Sequence, residues 1–208
     1  MGNTANYFGL RPVKHINGSS WNGLTEKCYV GATYAPLLYI GDPVMINNAL
    51  ADSDATALHT SVELSIPIAT TAAPIYGVIT SICSSEDIAD KWVKKPASTE
   101  AYVNVCVDPT VIYHIRDDGL GAPAATWPFL NAWLIQAAAG NALTGLSGVA
   151  LDGANVPATT QTFPVTIIRL ANLPDNEMDD NAIWEVLINT HQLLNGGVAG
   201  NVLGVAKG

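Results

Sequence analysis

The chain has 208 residues, of which 49% are hydrophobic and only 13% are charged, and its net charge is −9. Because nucleic acids and anionic membranes are bound largely through Lys and Arg, nine basic residues with no run longer than Lys94-Lys95 argue against both partners. The charged share is about half of that usual for soluble domains. This predicts a surface covered by other subunits, the alternative being a large core buried within a monomer.

The three cysteines provide no disulfide framework, because their number is odd and their spacing is sparse. Such usage suits synthesis in a reducing cytoplasm. The first residues also lack the basic and apolar regions of a signal peptide, so the pattern predicts no secretion.

Residues 1–27 are rich in Asn, Gly and Ser and show no helical period. We expect an extended N-terminal arm that places the aromatic residues Tyr7, Phe8 and Trp21 against another surface. That surface is either a neighbouring subunit or the core of the arm's own domain, and the sequence leaves both open.

Residues 28–118 are predicted to form a β-barrel core organised around two paired apolar stretches, Tyr34–Asn47 and Pro74–Ile82. In the first, Gly41-Asp42-Pro43 has strong turn chemistry, so we expect a strand on each side of it, at Leu37–Ile40 and Val44–Ile46. In the second, Gly77 interrupts a β-rich run, which indicates a bulge or a close backbone approach.

The remaining segments complete a mainly β prediction: a small β-barrel or sandwich with loop-rich insertions. A short helix is predicted after Ser84, ending before Pro96, and residues 141–162 are predicted to be loop. Alternation and β-forming residues predict further strands at 26–32, 62–68, 101–107, 111–115, 163–170 and 181–189.

Residues 119–194 are predicted as a second β-rich lobe or as a continuation of the core, and residues 195–208 as a flexible C-terminal tail. Within them, 122–139 is nearly uncharged and contains Trp127, Phe129 and Trp133. Its prolines and the lack of flanking cations argue against a membrane span. We expect a buried or interfacial segment, part loop and part strand or short helix.

The sequence contains no recognisable catalytic or cofactor-binding motif, so we predict that the protein is not an enzyme and has no cofactor. The four histidines lack metal-ligand spacing, so we expect no metal site built on them. The acidic cluster between Asp175 and Asp180 lacks the frame of a calcium loop, and a solvated turn or a weak calcium site are both possible.

Five short motifs, spread between Phe8 and His191, resemble in order and spacing a family of tailed-bacteriophage capsid decoration or cement proteins. They are GLRPV-H-NG from Gly9, Y-GDPV from Tyr39, YGVIT from Tyr76, V-VDP from Val105 and LPDN from Leu173. The resemblance implies a virion protein on the capsid surface that binds the major capsid protein and bridges capsomers. It also implies a homo-oligomer, with a trimer suited to local threefold positions of the shell.

Aromatic residues and one arginine are the candidate contacts with the capsid or with other subunits. An alternative function is a tail-associated receptor- or carbohydrate-binding module, with Trp127 and Trp133 as stacking platforms. A third is the main shell protein, whose common fold carries a long charged helix that this sequence lacks. The predicted interface residues are Tyr7, Phe8, Arg11, Trp21, Trp127, Phe129 and Trp133.

Overall fold

The computed structural model describes residues 3–46, 62–64, 73–83, 92–155, 157–160 and 162–194. These residues contain β-strands and connecting segments but no helix, and therefore none that could cross a membrane. The prediction of a mainly β, barrel-like fold is confirmed. The strands are β1 (Arg11–His15), β2 (Glu26–Val30), β3 (Pro43–Ile46), β4 (Val62–Leu64), β5 (Gly77–Cys83), β6 (Ala101–Cys106), β7 (Val111–Arg116), β8 (Asn131–Ala132), β9 (Leu134–Gln136), β10 (Val149–Leu151), β11 (Val165–Leu170) and β12 (Ile183–Ile188).

The first sheet has the strand order β1-β7-β12-β11-β8, and every pair in it is antiparallel. Side chains alternate between the two faces of a strand. Tyr113 on β7, Trp184 on β12 and Ile167 on β11 accordingly enter the core, while the residues between them face outward. Register shifts in β1 and β11 mark bulges, which increase the local twist.

The second sheet has the order β2-β6-β5-β3-β4, and β9 pairs with β10. Isolated bridges join these parts, Ile40 to Leu146 and Asp117 to Leu151. The larger core contains side chains from all three sheets, including Val78, Leu134 and Trp184, and a smaller core lies against the second sheet.

The two stretches that the sequence singled out do pair, because β3 is hydrogen-bonded to β5 at Pro43↔Val78 and Val44↔Gly77. The expected close approach at Gly77 is also present: a Cβ there would lie 2.4 Å from the carbonyl oxygen of Cys106. The register of the β5–β6 pair shifts a few residues after Gly77, between Ile79 and Ser81.

Two local predictions are wrong. Leu37–Ile40 is not a strand, since only single bridges form at Leu38 and Ile40, to partners in separate segments. Residues 141–162, predicted as loop, contain β10, whose three residues are fully buried. The predicted helix falls largely on residues 84–91, which lie outside the described residues, and 92–99 contain no helical turn.

The predicted division of the chain also changes. The first sheet combines β1 from the expected arm, β7 from the expected barrel and β8, β11 and β12 from residues 119–194. Residues 119–194 therefore contribute strands to the same sheet as β1 and β7. The arm of 1–27 is part of its own domain over its described residues, because Leu10 is buried and β1 pairs with β7. The predicted tail, 195–208, lies outside the described residues.

Candidate interaction site

The N-terminal segment docks where two of the sequence motifs meet. The backbone N–H of Leu10 donates to the carbonyl oxygen of Gly41 at 2.9 Å. Both Gly9 and Gly41 have positive φ, and a Cβ on Gly41 would lie only 2.2 Å from the carbonyl oxygen of Phe8. Only glycine allows this conformation and this approach without strain. The two motifs thus share one close backbone contact.

Asp42 holds the turn beside this contact. Its Oδ2 accepts a hydrogen bond from the backbone N–H of Tyr39 at 2.8 Å, and the carboxyl group also bonds to the Ser147 side chain. Burial raises the pKa of Asp42 to about 6, although these hydrogen bonds act in the opposite direction. The turn that the sequence predicted is therefore held by the carboxyl group of Asp42, which is buried beside Gly41.

A pocket of about 260 Å³ opens next to the docked segment. It brings together three of the predicted interface residues, Phe8, Arg11 and Trp21. Among the described residues that line it, Arg11 is the only ionisable one, so its chemistry favours apolar contact beside a single cation. The lining residues are Phe8, Leu10, Arg11, Pro12, Trp21, Ile40, Ile79, Thr80 and Leu146.

The aromatic and cationic side chains of this site support one another. The Arg11 guanidinium lies 4.8 Å from the Phe8 ring centre, and Arg116 approaches the same ring at 5.9 Å. Such stacking of a cation on an aromatic face is worth about 0.5–1 kcal/mol at exposed sites. Trp21 is half-buried and packs against the larger core. The site therefore combines a tryptophan that packs on the core with a phenylalanine ring that contacts two arginines.

Tyr7 lies outside this pocket. Its hydroxyl donates to the carbonyl oxygen of Asp118 at 3.1 Å, and burial, followed by the nearby Asp118 and Asp117 carboxylates, raises its pKa. Tyr7 therefore ties the N-terminal segment to the end of β7. Asn3 extends this attachment by donating to the backbone carbonyl of Glu177.

The aromatic segment of 122–139 divides into buried and exposed members. Trp127 is 2% exposed and contacts Trp184, with ring centres 5.3 Å apart, and Trp133 is 7% exposed and stacks near Phe163 at 4.6 Å. The expectation that Trp127 and Trp133 offer exposed stacking platforms is therefore wrong, because both rings fill the domain's own interior.

Phe129 differs from both tryptophans, because its side chain is 62% exposed and its backbone has φ +67°. A left-handed conformation costs a residue with a side chain about 1–2 kcal/mol. Backbone hydrogen bonds hold it: the N–H of Phe129 donates to the carbonyl of Ile167 at 2.7 Å, and that of Leu130 to Trp127 at 3.0 Å. An aromatic ring is thus presented to solvent from a rigid, strained turn.

The acidic cluster forms the connection between β11 and β12, where Asp175, Glu177, Asp179 and Asp180 are all exposed. Its own contacts include the bond from the backbone N–H of Asp180 to the Asp179 carboxylate at 2.9 Å. Among the described residues, no group of three or more His, Cys, Asp or Glu side chains is arranged to hold a metal ion.

The sequence did not reveal two polar groups that the fold buries. Lys95 is fully buried, and its Nζ donates to the carbonyl oxygens of Tyr34 and Pro96 at 3.0 Å. Glu185 on β12 is 5% exposed and forms ion pairs with Lys14 of β1 and Arg169 of β11. In the sequence, Lys95 stands before a proline and Glu185 stands alone within an apolar strand. Neither pattern shows which groups these two side chains bond to.

Comparisons of this chain with protein-family models, with curated proteins and with solved structures find no match.

Proposed function

We propose that this chain is a capsid decoration protein of a tailed bacteriophage, made in the host cytoplasm and bound to the outer surface of the head. Its partner is the major capsid protein, and it bridges capsomers as a homo-oligomer, with a trimer as the favoured state. The order of its motifs supports the family. The observation that carries the binding role is Phe129, an exposed aromatic residue fixed in a strained turn.

Strain of this kind persists only where the surrounding structure imposes it, and it concentrates at functional positions. Aromatic residues are also the commonest strong contributors to protein interfaces, because they bury a large apolar area with few rotatable bonds. Phe129 therefore has the properties of an anchor that inserts into an apolar recess of the shell.

Other exposed apolar side chains favour the same role, since a chain with few charges displays them on several connecting segments. Leu143 is 90% exposed, Leu120 is 72% exposed and Leu24 is 68% exposed. Contact with the assembled lattice, and not with the free shell subunit, would stabilise the head by mass action.

The test measures binding of purified protein to heads that lack it, by co-sedimentation. Phe129→Gly relieves the backbone strain, so we expect a folded protein with an undiminished melting temperature but at least about tenfold weaker binding to heads. Ile16→Ala is the matched control, because it removes an apolar side chain that is 61% exposed, close to the 62% of Phe129, and it should bind heads as the unchanged protein does.

Binding by Phe129→Gly at the level of the unchanged protein would show that Phe129 is not the anchor. Failure of the unchanged protein to bind heads at all would reject the decoration role itself. Equal losses in both variants would show that exposed apolar area in general, and not one fixed ring, determines binding.

A further inference from the structure

A row of ionisable side chains crosses the outer face of the first sheet. Cα pairing places Arg11 of β1 beside His114 of β7, His114 beside Glu185 of β12, and Glu185 beside Arg169 of β11. Their neighbours along each strand, among them Tyr113 and Trp184, enter the core. The row is therefore directed away from the core, on the outside of the domain.

The single carboxylate in this row is already fully engaged. Glu185 bonds to the Lys14 ammonium at 2.8 Å and to Nε of Arg169 at 2.9 Å, and Nε2 of His114 lies 3.8 Å away. Burial alone would raise the pKa of Glu185, but the hydrogen bonds from Lys14 and Arg169 outweigh it and hold the pKa below its ordinary value. Glu185 therefore has little capacity to neutralise the other cations.

We call Arg11, Lys14, His114 and Arg169, grouped around Glu185, the cationic face. With His114 neutral it carries three positive charges against one negative. Since the whole chain carries −9, the remaining residues together carry −11. The protein is thus electrically asymmetric, with a basic patch on an otherwise acidic molecule.

The side chains of the cationic face are accessible at both ends of the row. Arg11 is exposed, and the Arg169 side chain is 58% exposed. Half-buried apolar residues, Ile168 and Leu187, lie on the strands that carry the row and add apolar area. A mixture of exposed arginine and apolar area is the composition that protein interfaces favour.

We propose that the cationic face is a docking surface for the acidic surface of a second copy of this chain. Complementary charge brings partners together and fixes their orientation. A second copy supplies the required acidic surface, because the residues outside the face carry its large negative excess. The exposed carboxylates of the β11–β12 connection are the densest acidic group on the described surface and are the counterpart to test. This inference deepens the homo-oligomer of the proposed function by naming the surface through which copies associate, and it is tested on the isolated protein.

The test is sedimentation velocity of the purified protein at low and high ionic strength. We expect association at low salt that weakens as salt screens the charges. Arg11→Glu should weaken association at least about tenfold, because it places like charges against each other. Lys27→Glu is the matched control: it makes the same charge change at an exposed cation on the second sheet, and it should associate as the unchanged protein does.

A charge exchange identifies the counterpart. The double variant Asp175→Lys with Glu177→Lys should also be monomeric, and mixing it with Arg11→Glu should restore association, because opposite charges face each other again. Circular dichroism and melting temperature check that each variant is folded.

The proposal is overturned if the unchanged protein is monomeric at low salt and high concentration, or if Arg11→Glu associates as strongly as Lys27→Glu. Loss of association in both single-site variants together would also overturn it, because overall charge would then be the cause. None of these measurements uses heads, so their failure is separate from failure of the decoration role.

Discussion

Replacing Gly41 with alanine should destabilise the protein through one backbone contact. At φ +95°, any Cβ costs about 1–2 kcal/mol. The new Cβ would also lie 2.2 Å from the carbonyl oxygen of Phe8, a fixed backbone atom, so the N-terminal segment must move. That movement breaks the 2.9 Å hydrogen bond from Leu10 to Gly41, worth about 1 kcal/mol.

Movement of the segment also loosens Leu10, which is 1% exposed in the larger core. Losing part of its burial adds about 1 kcal/mol or more, since a fully buried leucine contributes about 1.5–3 kcal/mol. The expected loss for Gly41→Ala is therefore about 3–4 kcal/mol, a large part of the about 5–15 kcal/mol that stabilises a typical domain.

Gly18→Ala is the matched control, because Gly18 has a similar φ of +89° but no atom within 4 Å of its added Cβ. It should lose only the backbone term of about 1–2 kcal/mol. Urea unfolding followed by tryptophan fluorescence, and the melting temperature, measure both variants. Equal losses in the two variants would refute the reasoning, because the contact with Phe8 would then contribute nothing.

Two further predictions concern the same pair of strands. Burial raises the pKa of the Asp42 carboxyl from 3.8 to about 6, so the folded state holds the proton more tightly and the unchanged protein should lose about 3 kcal/mol of stability in total as pH rises through these values. Asp42→Asn removes the ionisable group and should abolish this pH dependence. Melting temperatures recorded from pH 4 to about pH 7 should fall for the unchanged protein relative to the variant, and parallel curves would contradict the assignment. Gly77→Val should prevent stable folding, because its side chain would meet the Cys106 carbonyl, and unchanged stability in urea unfolding would show that β5 and β6 can separate there.

The turn before β3 and the close approach at Gly77 were predictable from sequence because their determinants are local. Gly41-Asp42-Pro43 specifies a turn by its own backbone preferences, and a glycine within a strand, such as Gly77, indicates that another backbone segment lies close to it. Leu37–Ile40 failed for the opposite reason: its apolar run resembles a strand, but Leu38 and Ile40 each bridge a separate distant segment. Alternation cannot show whether a strand partner exists.

The candidate site was foreseen in part. Phe8, Arg11 and Trp21 were singled out as aromatic and cationic groups of a non-regular segment, and the structure brings them to one pocket. Trp127, Phe129 and Trp133 looked equivalent in sequence, because an apolar ring suits a core and an interface equally well. Only the backbone of the folded chain, with its positive φ at Phe129, separates the exposed ring from the two buried ones.

The ionic partners of the buried Glu185 could not be foreseen from the sequence. Glu185 is stabilised by Lys14 and Arg169, which lie on other strands and, in the case of Lys14, 171 positions away in sequence. Such partners follow from sheet order and register, which a single sequence does not specify.

The most direct test of the proposed decoration role is the copy number of this chain in purified virions, measured by quantitative mass spectrometry against the major shell protein. The account predicts a number of copies comparable to that of the shell protein, because a cement protein occupies sites over the whole head. A chain present at only a small fraction of the shell protein would contradict it and would place the protein at the tail or the portal vertex.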